Sequence, residues 1–192
     1  MTMKRNLELI SLAIKAGIMI GLGCIAYTTV ENKYVGAFLF SLGLLAVLSQ
    51  GLKLYTGIIG FLGPRKDDFI VGLLILLGNL AGIGVLGYIS TGFTPDCSEL
   101  MYGKLGKSFW EVLFSSWACG LLMYTAVKGY LAGHPIIVIL AIMFFILCGF
   151  DHCIANYYYM SRSGVFFDWR LPVMILGNSL GSWTLSKIPS TT

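Results

Sequence analysis

Apolar residues run through this chain in long stretches separated by short polar intervals, without the strict alternation of half-buried strands or the narrow stripe of soluble amphipathic helices. A bilayer-spanning helix needs roughly 20 mostly apolar residues, and by that measure six stretches emerge, near positions 9–30, 35–62, 69–90, 109–131, 135–160 and 171–188. The intervals between them carry turn and charge signals: "TTVENK", "GPRKDD", "TGFTPDCSELMYGKLGK", "KGYLAGHP" and "SRSGVFFDWR". The pattern predicts an all-α membrane protein of six transmembrane helices, with residues 1–192 forming a single transmembrane domain. No apolar run is confined to a short N-terminal stretch ahead of a small-residue cleavage site, so a cleaved signal peptide is not expected.

Composition agrees with this pattern. The chain is 57% hydrophobic and 11% charged, with mean hydropathy +0.82, outside the range of soluble domains. The net charge of +4 lies mostly in short connections, where it serves topology, and does not point to nucleic acid. One side collects Lys4, Arg5, Lys15, Arg65, Lys66, Lys128 and Lys187; the other collects Lys33, Lys104, Lys107, Arg162 and Arg170. Seven against five favours cytoplasmic N- and C-termini in a multi-pass protein of the cell (inner) membrane.

The halves of the chain resemble each other. "ILLGNLAG" (75–82) and "MILGNSLG" (174–181) share Leu-Gly-Asn and a later Gly, and Asn79 and Asn178 lie 99 residues apart. Repeat halves at about 9–90 and 109–188 hold three helices each. An odd number forces the second half to enter the bilayer from the opposite face, which makes an inverted repeat. The same offset sets "QGLKLYTG" (50–57) opposite "GFDHCIAN" (149–156). Each places ionisable residues beside glycine in the middle of a long apolar run, and paired interruptions of this kind point to broken second and fifth helices around a midplane site.

Ionised side chains facing lipid at the bilayer centre are costly, so Lys53, Asp151 and His152 are expected to face protein or water and to mark a path. His152 can alternatively be a core imidazole bonding between helices. For Lys53 an ion pair with Asp151 and direct contact with substrate are both open. Cys148 and His152 share a helical face at i and i+4, but with only His134 elsewhere no metal site is expected. The five cysteines (Cys24, Cys97, Cys119, Cys148, Cys153) include no CxxC, and no disulfide framework is read from them. There is no phosphate loop, dinucleotide fingerprint or nucleophile-and-base pairing, so neither a cofactor nor enzymatic activity is expected. Gly17, Gly21 and Gly23, Gly78 and Gly82, and Gly177 and Gly181 suit close helix packing. The tyrosines at 157–159, Trp169 and Trp183 suit interfacial belts or subunit contacts.

Taken together, "FSLGLLAVLSQGLKLYTG" (40–57), "GFDHCIANYYYM" (149–160), "AGIMIGLG" (16–23) and the two Leu-Gly-Asn helices resemble the formate/nitrite transporter family over essentially the whole chain and in the right order. The resemblance implies an aquaporin-like inverted repeat with broken second and fifth helices, assembled as a homopentamer with one pore per protomer. It implies transport of small monovalent weak-acid anions: formate, nitrite, hydrosulfide, acetate or lactate. By resemblance His152 is the central histidine and Asp151 the acidic residue before it. Phe40, Leu44, Tyr55 and Phe145 match apolar constriction positions, Thr56 the threonine of the loop interrupting the second helix, and Asn178 the polar residue of the sixth. Lys104 resembles the lysine of the external connection and Glu111 the acidic residue opening the fourth helix. Lys53 departs from the family, which usually has an acidic residue there; Tyr55 replaces the commoner Phe and Gly120 a common Asn.

The expected mechanism is capture of the anion by Lys53, Lys104 and half-helix N-termini, followed by passage as the neutral acid, with His152 supplying or relaying the proton and Asp151 tuning it. Within the same fold the alternative is a neutral His152 that donates only a hydrogen bond, the proton coming from water. The expected partners are thus a small monovalent anion, a proton, the lipid bilayer and further copies of the chain. Two other classes are an aquaporin-like neutral-solute channel, against which stands the absence of paired Asn-Pro-Ala motifs, and a non-transporting membrane subunit.

Overall fold

The computed structural model describes residues 3–188. In chain order its helices are α1 (Met3–Thr29), α2 (Lys33–Ser49), α3 (Tyr55–Ile58, extended by a 3-10 turn to Phe61), α4 (Lys66–Ser90), α5 (Ser98–Leu105), α6 (Phe109–Leu131), α7 (Ile136–Leu147), α8 (Cys153–Arg162) and α9 (Arg170–Ser186). Two of them, α1 and α4, are each long and apolar enough to cross a bilayer by themselves. Helix α1 starts earlier than the apolar run suggested, and the longest connection, 91–108, holds α5, which hydropathy alone does not mark.

Local chemistry sets the helix ends. The Asn32 side chain accepts from the Tyr34 and Val35 N–H groups and starts α2. Ser108 and Glu111 form a capping box that starts α6, which gives Glu111 a structural task at this helix end. Helix α2 stops at Ser49 because Gly51 adopts φ 65°, and the Leu52 N–H then bonds back to the Val47 carbonyl at 2.9 Å. Helix α7 stops at Leu147 in the same way: Gly149 has φ 67° and the Phe150 N–H reaches the Phe145 carbonyl at 2.9 Å. Both ends are glycine C-caps followed by an apolar residue. After three non-helical residues, the last of them extended, the chain resumes as α3 or α8.

Packing repeats between the halves. Helix α1 lies on α4 and α2, and α6 lies on α9 and α7, while α2 meets α7 and α4 meets α8 across the halves. A methyl group at Gly17 would collide with the Asn79 carbonyl, and one at Gly120 with the Asn178 carbonyl. Likewise Gly82 abuts the Ile14 carbonyl and Gly181 the Trp117 carbonyl. These small residues let the backbones approach where dispersion and hydrogen bonding must hold helices together. Gly120 therefore has a packing reason to lack a side chain.

Large apolar side chains face outward, while a few polar ones are buried within an apolar core. Phe38, Leu42, Phe69, Leu77, Val85 and Phe114 are exposed, whereas Thr56, Asn79, Asp151, His152, Asn156 and Asn178 are buried. An apolar exterior of this extent, with polar groups held inside, fits an environment of lipid.

Candidate functional site

The two helix breaks leave backbone groups with no partner in their own helices, and an asparagine in each half receives them. Asn79 Oδ1 accepts the Tyr55 N–H at 2.8 Å, and its Nδ2 donates to the Lys53 and Ala13 carbonyls, both at 2.8 Å. Asn178 Oδ1 accepts the Cys153 N–H at 2.8 Å, and its Nδ2 donates to the Asp151 carbonyl at 2.9 Å and the Ser116 carbonyl at 2.8 Å. Each amide satisfies a break and ties it to a neighbouring helix. Asn178, expected on the substrate pathway, thus spends these bonds on backbone, and Asn79 is its counterpart.

These bonds correct the repeat register in the breaks. Lys53 is equivalent to Asp151 and Tyr55 to Cys153, an offset of 98 rather than 99 residues, so the counterpart of His152 is Leu54. The halves differ by one residue between the break and the asparagine helix.

His152 occupies the N-cap of α8, and its Nδ1 accepts the Ala155 N–H at 3.0 Å. A backbone N–H can only donate, so Nδ1 holds a lone pair and the ring proton resides on Nε2. Nε2 lies 2.7 Å from the Thr56 hydroxyl, to which it donates. This joins the first turn of α3 to the start of α8. The imidazole is 2% exposed and lies nearly parallel to Phe145, with centroids 5.7 Å apart, and Phe40 meets Phe145 edge-on at 5.8 Å. Protonation of Nδ1 would break the cap and put a cation at a helix N-terminus, so this geometry holds a neutral imidazole.

Asp151 is fully buried and turns away from His152. Its Oδ1 accepts from Lys104 Nζ and Asn156 Nδ2, both at 2.8 Å, and its Oδ2 accepts from Lys107 Nζ at 2.6 Å. The Lys53–Asp151 ion pair left open above does not form: Lys53 has no ion pair among the described residues, and Asp151 is held by α5 and the connection after it. Asp151 also has no hydrogen bond to His152, so any influence on that ring is through space.

Two cavities are lined by neighbours of this pair, Phe145 and Ala155 in one and Leu54 and Gly57 in the other. One, about 70 Å³, is lined by Phe40, Phe145, Lys104, Phe150, Asn156 and Tyr159. The other, about 260 Å³, is lined by Leu44, Val47, Lys53, Leu54, Gly57 and Val127. Phe40, in the wall of the first, and Leu44, in the wall of the second, are one turn apart on α2 and belong to an apolar septum between the cavities. Tyr55, expected at a constriction, lines neither. Its hydroxyl is 2.8 Å from that of Ser179, and its ring borders a third cavity of about 340 Å³ with Ile59, Phe69, Ile175 and Trp183. Leu54, its neighbour, takes the place beside Leu44.

Lys107, Asn156, Leu54 and Asn79 belong to this arrangement although the sequence pattern did not mark them as site residues. Lys107 had a signal available: it follows Lys104 by three residues in the same connection. Among the described residues no group of His, Cys, Asp and Glu side chains is arranged to hold a metal ion.

The fold and chain have close counterparts among known proteins. A family model described as formate/nitrite transporter matches residues 2–189. The formate channel FocB of Escherichia coli is 25% identical over 76% of this chain and 62% of its own length. The formate channel FocA of Haemophilus influenzae is 25% identical over 74% of this chain and 62% of its own length. The chain therefore spans less than two thirds of these curated relatives. Among solved structures, a pentameric formate channel with formate bound superposes with TM-score 0.80 at 22% identity, covering 96% of each chain. An ion channel of the same family superposes with TM-score 0.81 at 19% identity, covering 93% of this chain and 87% of that one.

Proposed function

The chain belongs to the formate/nitrite transporter family, and from that premise we propose that it conducts small monovalent weak-acid anions such as formate, nitrite or hydrosulfide, linked to protons, across a cell membrane. Six spans carry this activity: α1, α2 with its break and α3, α4, α6, α7 with its break and α8, and α9. The N- and C-termini face the cytoplasm of a multi-pass protein in the inner membrane, and five copies assemble, each with its own pore. The solved relative that is a pentameric formate channel supports the assembly and the substrate class.

The observation that carries this reading is a pair of cavities, each lined by a lysine, with Phe40 and Leu44 of an apolar septum in their walls and the buried His152–Thr56 pair bonded to or next to lining residues of both. A bare anion entering such a septum loses its hydration, an idealised penalty of tens of kcal/mol. Neutralising a carboxylic acid of pKa near 4 at pH 7 costs only about 4 kcal/mol. Passage as the neutral acid is the cheaper route.

Lys104 attracts the anion in the smaller cavity and Lys53 does so in the larger one. The geometry of His152 favours the hydrogen-bond donor over the proton donor. If Nε2 gave up its proton, the ring would need a new one on Nδ1, which the Ala155 N–H occupies. Water therefore supplies the proton, while Nε2–H turns from Thr56 to the oxygen of the passing acid. Phe40, Leu44, Leu54 and Phe145 reject what remains charged.

Proteoliposomes containing the purified chain test this reading. Saturable uptake of 14C-formate, inhibited by nitrite, hydrosulfide and acetate, is expected. Permeation of glycerol or water without anion flux would instead support the neutral-solute reading, and no flux of either kind the non-transporting one.

A further inference from the structure

Asp151 is one carboxylate bonded to two ammonium groups, Lys104 at 2.8 Å and Lys107 at 2.6 Å. Such a cluster keeps one positive charge. The two lysines are placed differently. Lys104, 8% exposed, lines the small cavity beside Phe40 and Phe145. Lys107 stands behind the carboxylate and is fixed by the Gly149 carbonyl at 3.1 Å and the Ser115 hydroxyl at 3.3 Å. Its anchor is the turn glycine that ends α7.

We propose that Lys107 is a specificity-determining positioning residue: by occupying one oxygen of Asp151 it leaves the Lys104 charge uncancelled, so that the small cavity becomes a receptor for a monovalent anion. With Lys104 and Asp151 alone the pair would be neutral and its attraction for an anion would fall to that of a dipole. With Lys107 present the cavity carries a net charge in a poorly screened place, where charge acts strongly. Asn156, a neutral donor on the same carboxylate, holds Asp151 without altering this balance. The inference deepens the anion-transport reading and rests on it.

The test is 14C-formate uptake and efflux in cells producing the full chain, so that both mouths are read, for wild type, Lys107→Gln, Lys107→Arg and Asp151→Asn. Lys107→Gln is expected to raise the half-saturation concentration about tenfold from one side, with maximal flux changed less than about twofold. Lys107→Arg should restore the wild-type value. Asp151→Asn raises the cluster from one net charge to two and should lower the half-saturation concentration from the same side, a direction that mere structural damage would not produce. Unchanged half-saturation in both Lys107→Gln and Asp151→Asn, or equal loss of maximal flux in all three variants, would overturn the proposal while leaving anion transport standing. Wild type without saturable formate flux would overturn both.

Discussion

Thr56 and His152, 96 residues apart, meet through a 2.7 Å hydrogen bond that joins the two half-helices at the septum. Because the Ala155 N–H fixes the tautomer, Thr56 is the acceptor. Thr56→Val keeps the shape and removes that acceptor, leaving a buried donor unpaired at a cost of about 1–3 kcal/mol. Formate flux into proteoliposomes is expected to fall about tenfold in Thr56→Val and to stay near wild type in Thr56→Ser.

The pH slope of transport should belong to the substrate and not to the histidine. Above the acid's own pKa, each unit of falling pH raises the neutral fraction about tenfold. Flux at subsaturating formate should rise accordingly as pH falls, in wild type and in His152→Asn, which retains a donor. His152→Phe should lose flux at every pH. A slope present in wild type and absent in His152→Asn would assign the proton to His152.

Asn79 and Asn178 make equivalent clamps, and their loss should weigh on stability in both halves. Replacing either by Leu strands one backbone N–H and one carbonyl of the break, each worth about 1–3 kcal/mol when buried without a partner. Thermal unfolding in detergent should show a lowered midpoint for Asn79→Leu and for Asn178→Leu alike. A shift confined to Asn178 would show that the halves are not energetically equivalent.

Lys53 takes the place equivalent to Asp151 on the far side of the septum and has no ion pair among the described residues. Lys53→Glu replaces an attractive charge with a repulsive one at the larger cavity. Half-saturation for formate should rise about tenfold or more from that side, with little change from the Lys104 side, as read by comparing uptake with efflux.

What the sequence made legible follows from how local each signal is. The Leu-Gly-Asn pairs and the glycines at 51 and 149 announced the repeat and its interruptions because a left-handed turn and a close helix contact demand particular residues. His152 and Thr56 come together in the structure, and Lys104 meets Asp151. Tyr55 and Leu54 were harder to place: which of two buried neighbours lines the cavity with Leu44 depends on the backbone before α3, and the Tyr55 hydroxyl bonds to Ser179, 124 residues away. The one-residue change of register hid the equivalence of Lys53 and Asp151, since one slipped position directs a side chain elsewhere. Lys107 looked like one more topological charge because the sequence does not show that α5 and the residues after it fold back over the break.

Passage as a neutral acid is most directly tested by counting protons. In proteoliposomes loaded with a fluorescent pH indicator, formate added outside should carry in one proton per formate, and the rate should not respond to an imposed potassium diffusion potential. Formate flux that scales with membrane potential and leaves internal pH unchanged would contradict it.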